Sequence, residues 1–253
     1  MMHAKIDGIK AEPNLTAATA VIVALGVMVA TNLGACCDEE VDVVSLYINQ
    51  NNLPGKGCLA AQAKNRASSG LLDVDTRLRL GYYMFPAILN NLVGTSSTDN
   101  QPERNNLQMK RLDVSIDLGR DDLNVGSSAL EYSVLQSGMI QPGAEVVFGP
   151  VMVIGNDLAM KLGTLLCIQP PYVRPVISVT LRAVAELNGE MRQSPEFVYP
   201  ITLCCGCLVD WRQVVPSTGD PTVRTNPCGA PQDFPVSCYA GPSGTVCLRD
   251  SST

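Results

Sequence analysis

Histidine is almost missing from this chain: the only one is His3, close to the first residue. A Ser-His-Asp or Cys-His nucleophile pair, or a zinc site built on imidazole, therefore has no residue to use beyond that position. Basic runs are missing too. Eighteen Lys and Arg stand against 24 Asp and Glu, a net charge of −6, and they are nowhere clustered, so nucleic acid is not an expected partner. The acidic balance reads as solubility. Aromatic residues make up only 5% of the chain, and Val, Leu, Ile and Thr carry the apolar content instead. With 21 Gly and 17 Pro, that composition favours short strands and turns over long helices. No catalytic motif stands out, and the expectation is a protein that is not an enzyme and holds no cofactor or metal.

Long apolar runs are scarce, with one exception. Leu15 to Ala35 is a stretch of 21 uncharged residues, preceded by Lys5 and Lys10 and followed by Cys36, Cys37, Asp38, Glu39 and Glu40. A basic start, an apolar middle and small residues before a cut site describe a secretory signal. The ending Leu33-Gly34-Ala35-Cys36 resembles the lipobox of bacterial lipoprotein precursors. That resemblance covers residues 1–36 alone. It implies cleavage before Cys36, a diacylglycerol on the Cys36 thiol, and a membrane partner reached through that anchor. With Cys37 rather than Asp after the anchor, it also leans toward the outer membrane. Two alternatives keep the chain exported: a retained signal anchor, long enough to span a bilayer, or a secreted form in which Cys36 is an ordinary disulfide cysteine. The expected organisation is signal peptide 1–35, tether 36–40, a β-sandwich over 41–208 that could divide into subdomains near 137–143, and a Cys/Pro/Gly-rich tail over 209–253.

Along the chain, Val41–Ile48 reads as a first strand, 50–57 as a loop, and Leu59–Ala63 as a brief helix. Asp75–Phe85 alternates and reads as a strand, interrupted by Pro86, with a continuation over 87–93 and a polar loop over 94–106. In Leu107–Leu118, Leu112, Val114, Ile116 and Leu118 share one face while Arg111, Asp113, Ser115 and Asp117 share the other. Leu130–Leu135 is a strand, Ser137–Gly143 a turn, and 144–154 a pair of short strands split by Gly149-Pro150. Asn156–Leu166 carries Leu158, Leu162 and Leu165 at helical spacing, with Asn156 as a possible cap and Gly163 against it. Val176–Leu187 and Glu190–Leu203 flank Asn188-Gly189, the preferred type I′ hairpin turn. The fold expected is all-β, an antiparallel β-sandwich with a short helix and a disulfide-stapled irregular C-terminal tail. In strand rhythm alone, 141–207 is similar to the immunoglobulin-like or stress-protein-type β-sandwich modules of exported proteins.

Ten cysteines complete the picture. With Cys36 lipidated, nine remain, and Cys37 in the tether is the candidate left unpaired. Disulfides are the expected role of Cys58, Cys167, Cys204, Cys205, Cys207, Cys228, Cys238 and Cys247. Two sharper readings compete. Cys204, Cys205 and Cys207 with one tail cysteine could hold zinc, although adjacent cysteines suit one ion poorly. Cys204 and Cys207 have redox spacing but no helical run behind them. Asp73, Asp75, Asp121 and Asp122 could bind calcium in loops, but turn residues of this kind are more often solvated. Trp211 and the Tyr82–Phe85 cluster could meet a ligand, yet packing explains them as well. The function expected is a lipid-anchored cell-envelope β-sandwich that binds an envelope protein or supports a structure. The alternatives are a metal-binding or carboxylate-dependent envelope enzyme and a subunit of an extracellular assembly.

Overall fold

Period-two alternation decides which residues meet in the core. The structure, a computed structural model, describes residues 44–60, 65–78, 80–95, 103–121, 123, 125–168, 174–213, 222–242 and 244–249. The expected signal segment and tether, with Cys36 and Cys37, lie outside the described residues, as do Ala61–Ala63 of the expected brief helix and Asp122. In the larger sheet the order is β3 (Gly70–Asp73), β12 (Phe197–Cys204), β10 (Val176–Leu187), β6 (Leu107–Asp117) and β7 (Glu131–Ile140). β11 (Glu190–Gln193) pairs with the far end of β10. On β6, Leu112, Val114 and Ile116 face inward, and on β10 so do Ile177, Val179, Leu181 and Ala183. The alternate residues, among them Asp113, Ser115, Thr180 and Arg182, make the outer face.

A second sheet runs β2 (Arg66–Ala67), β1 (Leu46–Asn52), β5 (Pro86–Asn90) and β8 (Glu145–Val147). Its Leu46, Ile48 and Ile88 bury themselves in the same cluster as the inner face of the larger sheet. Two sheets sharing one apolar interior make a β-sandwich. The short pair β4 (Tyr82–Met84) and β9 (Val151–Ile154), with helix α1 (Asn156–Leu166), closes that interior. The helix adds Leu158, Ala159, Leu162 and Leu166 to it. Each large aliphatic side chain so buried contributes roughly 1.5–3 kcal/mol before the cost of ordering it.

The Asn188-Gly189 turn forms with φ of 52° and 88°, the paired positive values that a type I′ turn needs. The returning chain pairs with β10 first as β11 and then as β12, shifting by one residue between Val184↔Gln193 and Leu181↔Phe197. At that shift the Ser194 hydroxyl accepts from the Ala183 amide. The segment around 144–154 divides as the sequence suggests, into β8 and β9 on either side of a cis Gly149–Pro150 bond. The tail is more ordered than its composition implied. It contains a small mixed sheet of β13 (Val209–Arg212), β14 (Val236–Gly241) and β15 (Gly244–Cys247).

Several expected boundaries are corrected. The first strand starts at Leu46 and runs through 50–52, read above as loop, because Asn51 is buried and accepts from the Phe85 amide at 2.7 Å. Asp75–Phe85 is not one strand. The Asp75 carboxylate accepts from the Arg77 amide and the Leu78 amide donates to the Asp75 carbonyl, which makes a turn before β4. β5 ends at Asn90 rather than 93. The strand read as Leu130–Leu135 runs on to Ile140, and the turn is confined to Gln141–Gly143. Asn156 does not cap α1. Gly155 holds the N-cap position, and Asn156 Oδ1 accepts from the Gly81 amide instead.

Gly163, which counted against the helix, is what lets it pack. A Cβ at this position would lie 2.0 Å from the Val74 carbonyl oxygen. In an exposed helix Gly→Ala gains about 1 kcal/mol. Here Gly163→Ala is expected to cost about 1–3 kcal/mol by forcing the helix away from the Val74 backbone, read as a lower midpoint in denaturant unfolding.

Candidate functional site

Where the larger sheet ends, β3 lies parallel to β12 and places Asp73 beside Cys204. The chain then loops through Cys204-Cys205-Gly206-Cys207 to Leu208. The Asp73 carboxylate is fully buried and organises this loop. Its Oδ1 accepts from the amides of Gly206 at 2.7 Å and Asp75 at 3.1 Å, and its Oδ2 from the amide of Leu208 at 2.9 Å. Amide donors to a carboxylate make charge-assisted hydrogen bonds.

Four disulfides join the eight described cysteines. Cys204 pairs with Cys207 inside the loop, and Cys205 ties the loop to Cys167 at the end of α1. Cys58 reaches Cys228, crossing from the start of the sandwich to the tail, and Cys238 bridges to Cys247 between β14 and β15. This pairing leaves Cys204, Cys205 and Cys207 without a common tail partner, so the zinc arrangement that combined all three with a tail cysteine does not form. The C-x-x-C pair follows a strand and precedes another, and among the described residues no helix begins at it.

A second polar seam joins tail to sandwich. The Gln232 side chain accepts from the Tyr83 amide at 2.8 Å and donates to the Tyr83 carbonyl at 2.9 Å. The Tyr82 hydroxyl donates to the Asp233 carboxylate at 2.9 Å, and the Leu71 amide donates to it at the same distance. Burial drives the Asp233 carboxyl above the ordinary carboxylate range, outweighing these hydrogen bonds, which favour the charged form. Burial, and then the neighbouring charge of Asp233, pushes the Tyr82 hydroxyl well above the usual phenol range.

The outer face of the larger sheet carries a shallow groove of about 570 Å³. Asp113, Ser115, Glu131, Ser133, Thr180 and Arg182 line it, and Glu196 closes one side with an ion pair to Arg182. Burial acts to raise the Asp113 pKa, but hydrogen bonds from Ser133 and Arg111 hold it below the usual value. The exposed Leu135 and Val198 sit on the same face, on β7 and β12. The groove thus offers hydroxyls, carboxylates and one guanidinium, framed by apolar side chains.

The other candidates from the sequence are occupied by packing. Asp75 is not a free loop ligand: the Arg77 guanidinium hydrogen-bonds to it and holds its pKa low. Asp73 accepts from three amides of the cysteine loop and its flank, while Asp75 pairs with Arg77. Asp121 is exposed, and its partner Asp122 is not described. The Arg77 guanidinium stacks 4.1 Å above the Trp211 ring. Tyr82, Met84 and Phe85 are fully buried, so no aromatic platform faces solvent there. Sequence reasoning passed over Gln232 and Asp233. Their only signal was polarity placed between Pro231 and the apolar Val236 in a cysteine-flanked segment. No protein family, curated protein or solved structure matches the chain.

The raised Asp233 pKa fixes a sign. Between the unfolded value near pH 4 and the higher folded value, the folded chain binds the extra proton. The stability due to Asp233 is therefore complete below about pH 4 and is lost as pH rises through the folded pKa. Asp233→Asn, neutral throughout, is expected to flatten that part of the stability–pH curve, measured by denaturant unfolding over acidic and neutral pH. An unchanged slope would contradict the assignment.

Proposed function

We propose that this chain is an exported, lipid-anchored cell-envelope protein that works by binding, with the outer-face groove as its contact surface. The observation that carries the reading is the set of four disulfides that staple both the sandwich and its tail. Such density is characteristic of proteins that fold in oxidising compartments. The lipobox-like Leu33–Cys36 supplies the address, an acylated Cys36 in the outer membrane. Asp38, Glu39 and Glu40 then form a short acidic tether from the lipid to the domain. A lipid with several chains would hold a domain of this size firmly, where one chain would not.

Binding fits the residues better than catalysis does. The chain has no histidine beyond His3, and the buried carboxylates Asp73 and Asp233 spend their hydrogen bonds on backbone amides and Tyr82. The groove instead presents hydroxyls, carboxylates and the Arg182 guanidinium, with the exposed Leu135 and Val198 on the same face, groups that can pair with a partner's polar surface. An envelope protein is the partner this chemistry suits.

The reading is tested by intact mass of the protein from its native membrane fraction, before and after reduction. We expect a chain that begins at Cys36 and carries acyl groups, and that gains two hydrogens for each of four bridges on reduction. An unmodified full-length mass with free thiols would contradict it.

A further inference from the structure

The sulfurs of Cys204 and Cys207 and a carboxylate oxygen of Asp73 all lie within 4.8 Å of one another. Cys204 and Asp73 are buried, while Cys207 is accessible to solvent. Among the described residues no Lys or Arg forms a salt bridge with Asp73. Its carboxylate accepts from the amides of Asp75, Gly206 and Leu208, and the nearby Arg77 guanidinium also feels its charge. A carboxylate has about four lone-pair positions, so those three amides leave room on Oδ2 for one further partner.

While the two sulfurs are bonded to each other they cannot bind as thiolates. Reduction frees both beside the Asp73 carboxylate, a donor set of the kind that holds a dication. The spacing favours the dication, because C-x-x-C lets two sulfurs grip one ion from the same loop. Asp73 pins the backbone of Gly206 and Leu208 through their amides, a restraint on the loop separate from the disulfide.

We propose that Cys204, Cys207 and Asp73 form a redox-gated site for a thiophilic divalent cation of the Zn²⁺ type, closed as a disulfide and opened by a dithiol. In the first step a dithiol thiolate attacks the accessible Cys207 sulfur and the Cys204 sulfur leaves and is protonated. The second thiol of the reductant then closes its own disulfide and releases Cys207, so two electrons pass from dithiol to protein. In the second step the cation displaces one proton from each thiol, and both protons go to solvent. Two sulfurs and one carboxylate oxygen fill three positions, leaving the fourth for water, the arrangement of an open rather than a sealed zinc site. The proposal stands independently of the lipid anchor and of the groove.

Co²⁺ titration tests it. The full chain is reduced with dithiothreitol, desalted without oxygen and titrated with Co²⁺, following the sulfur-to-cobalt absorption band and proton release. We expect one Co²⁺ per chain, displaced by Zn²⁺, with no band in the unreduced chain. Reduced Cys204→Ser/Cys207→Ser should lack the band, and reduced Cys167→Ser/Cys205→Ser should keep it. Asp73→Asn should weaken binding by about tenfold or more. A missing band in the reduced chain, or an equal band in Cys204→Ser/Cys207→Ser, would overturn the site. Unchanged affinity in Asp73→Asn would overturn the role of the carboxylate.

Discussion

An open sheet edge is the constraint on which this structure turns. β3 pairs with β12 along one side only, so the other side of its backbone must be satisfied elsewhere. The tail supplies what is missing. The Asp73 amide donates to the Pro231 carbonyl, the Asp233 amide donates to the Leu71 carbonyl, and the Leu71 amide donates to the Asp233 carboxylate. Gln232 does the same for both backbone groups of Tyr83 on β4. The tail segment thus acts as a side-chain and backbone substitute for a strand that the sandwich lacks.

The disulfides follow from that arrangement. A segment rich in Pro, Gly and Ser loses much conformational freedom when it is laid along an edge. Cys58–Cys228 offsets part of this by joining residues 170 apart in sequence, and such a link limits the unfolded chain more than a short one does. Cys238–Cys247 spans nine residues and fixes the β14–β15 pair locally. At the other end of the seam, Asp73 holds the cysteine loop so that Leu208 can accept from the Val236 amide and lead into the tail sheet. Covalent and hydrogen-bonded staples therefore serve the same join.

Much of the sandwich was legible in the sequence, because alternation and turn chemistry are local. β6, the two short strands β8 and β9, α1 and the Asn188-Gly189 hairpin all lie where spacing and turn residues placed them. Two misreadings come from polar side chains recruited over long distances: Asn51 extends β1 by serving Phe85, 34 residues away, and Asn156 leaves the helix cap to serve Gly81, 75 residues away. Nothing in the local pattern marks those partners. A third is local: Asp75 accepts from the Arg77 amide and bends a stretch whose pattern alternates like a strand. The candidate sites divide in the same way. The outward face of β6 was visible, but the groove also needs β7, β10 and Glu196, whose neighbours are set by sheet order. Asp233 and Gln232 matter only because β3 and β4 lie beneath them, and that is a tertiary fact.

The central claim is that tail and sandwich form one cooperative unit through the β3 edge. Native-state hydrogen exchange on the oxidised full chain tests it most directly. The amides of Leu71, Asp73, Leu208 and Val236 should exchange with the same opening free energy as Val179 in the middle of β10. If those four open at distinctly lower free energy while Val179 stays protected, the tail is a separate, loosely held layer and the account fails.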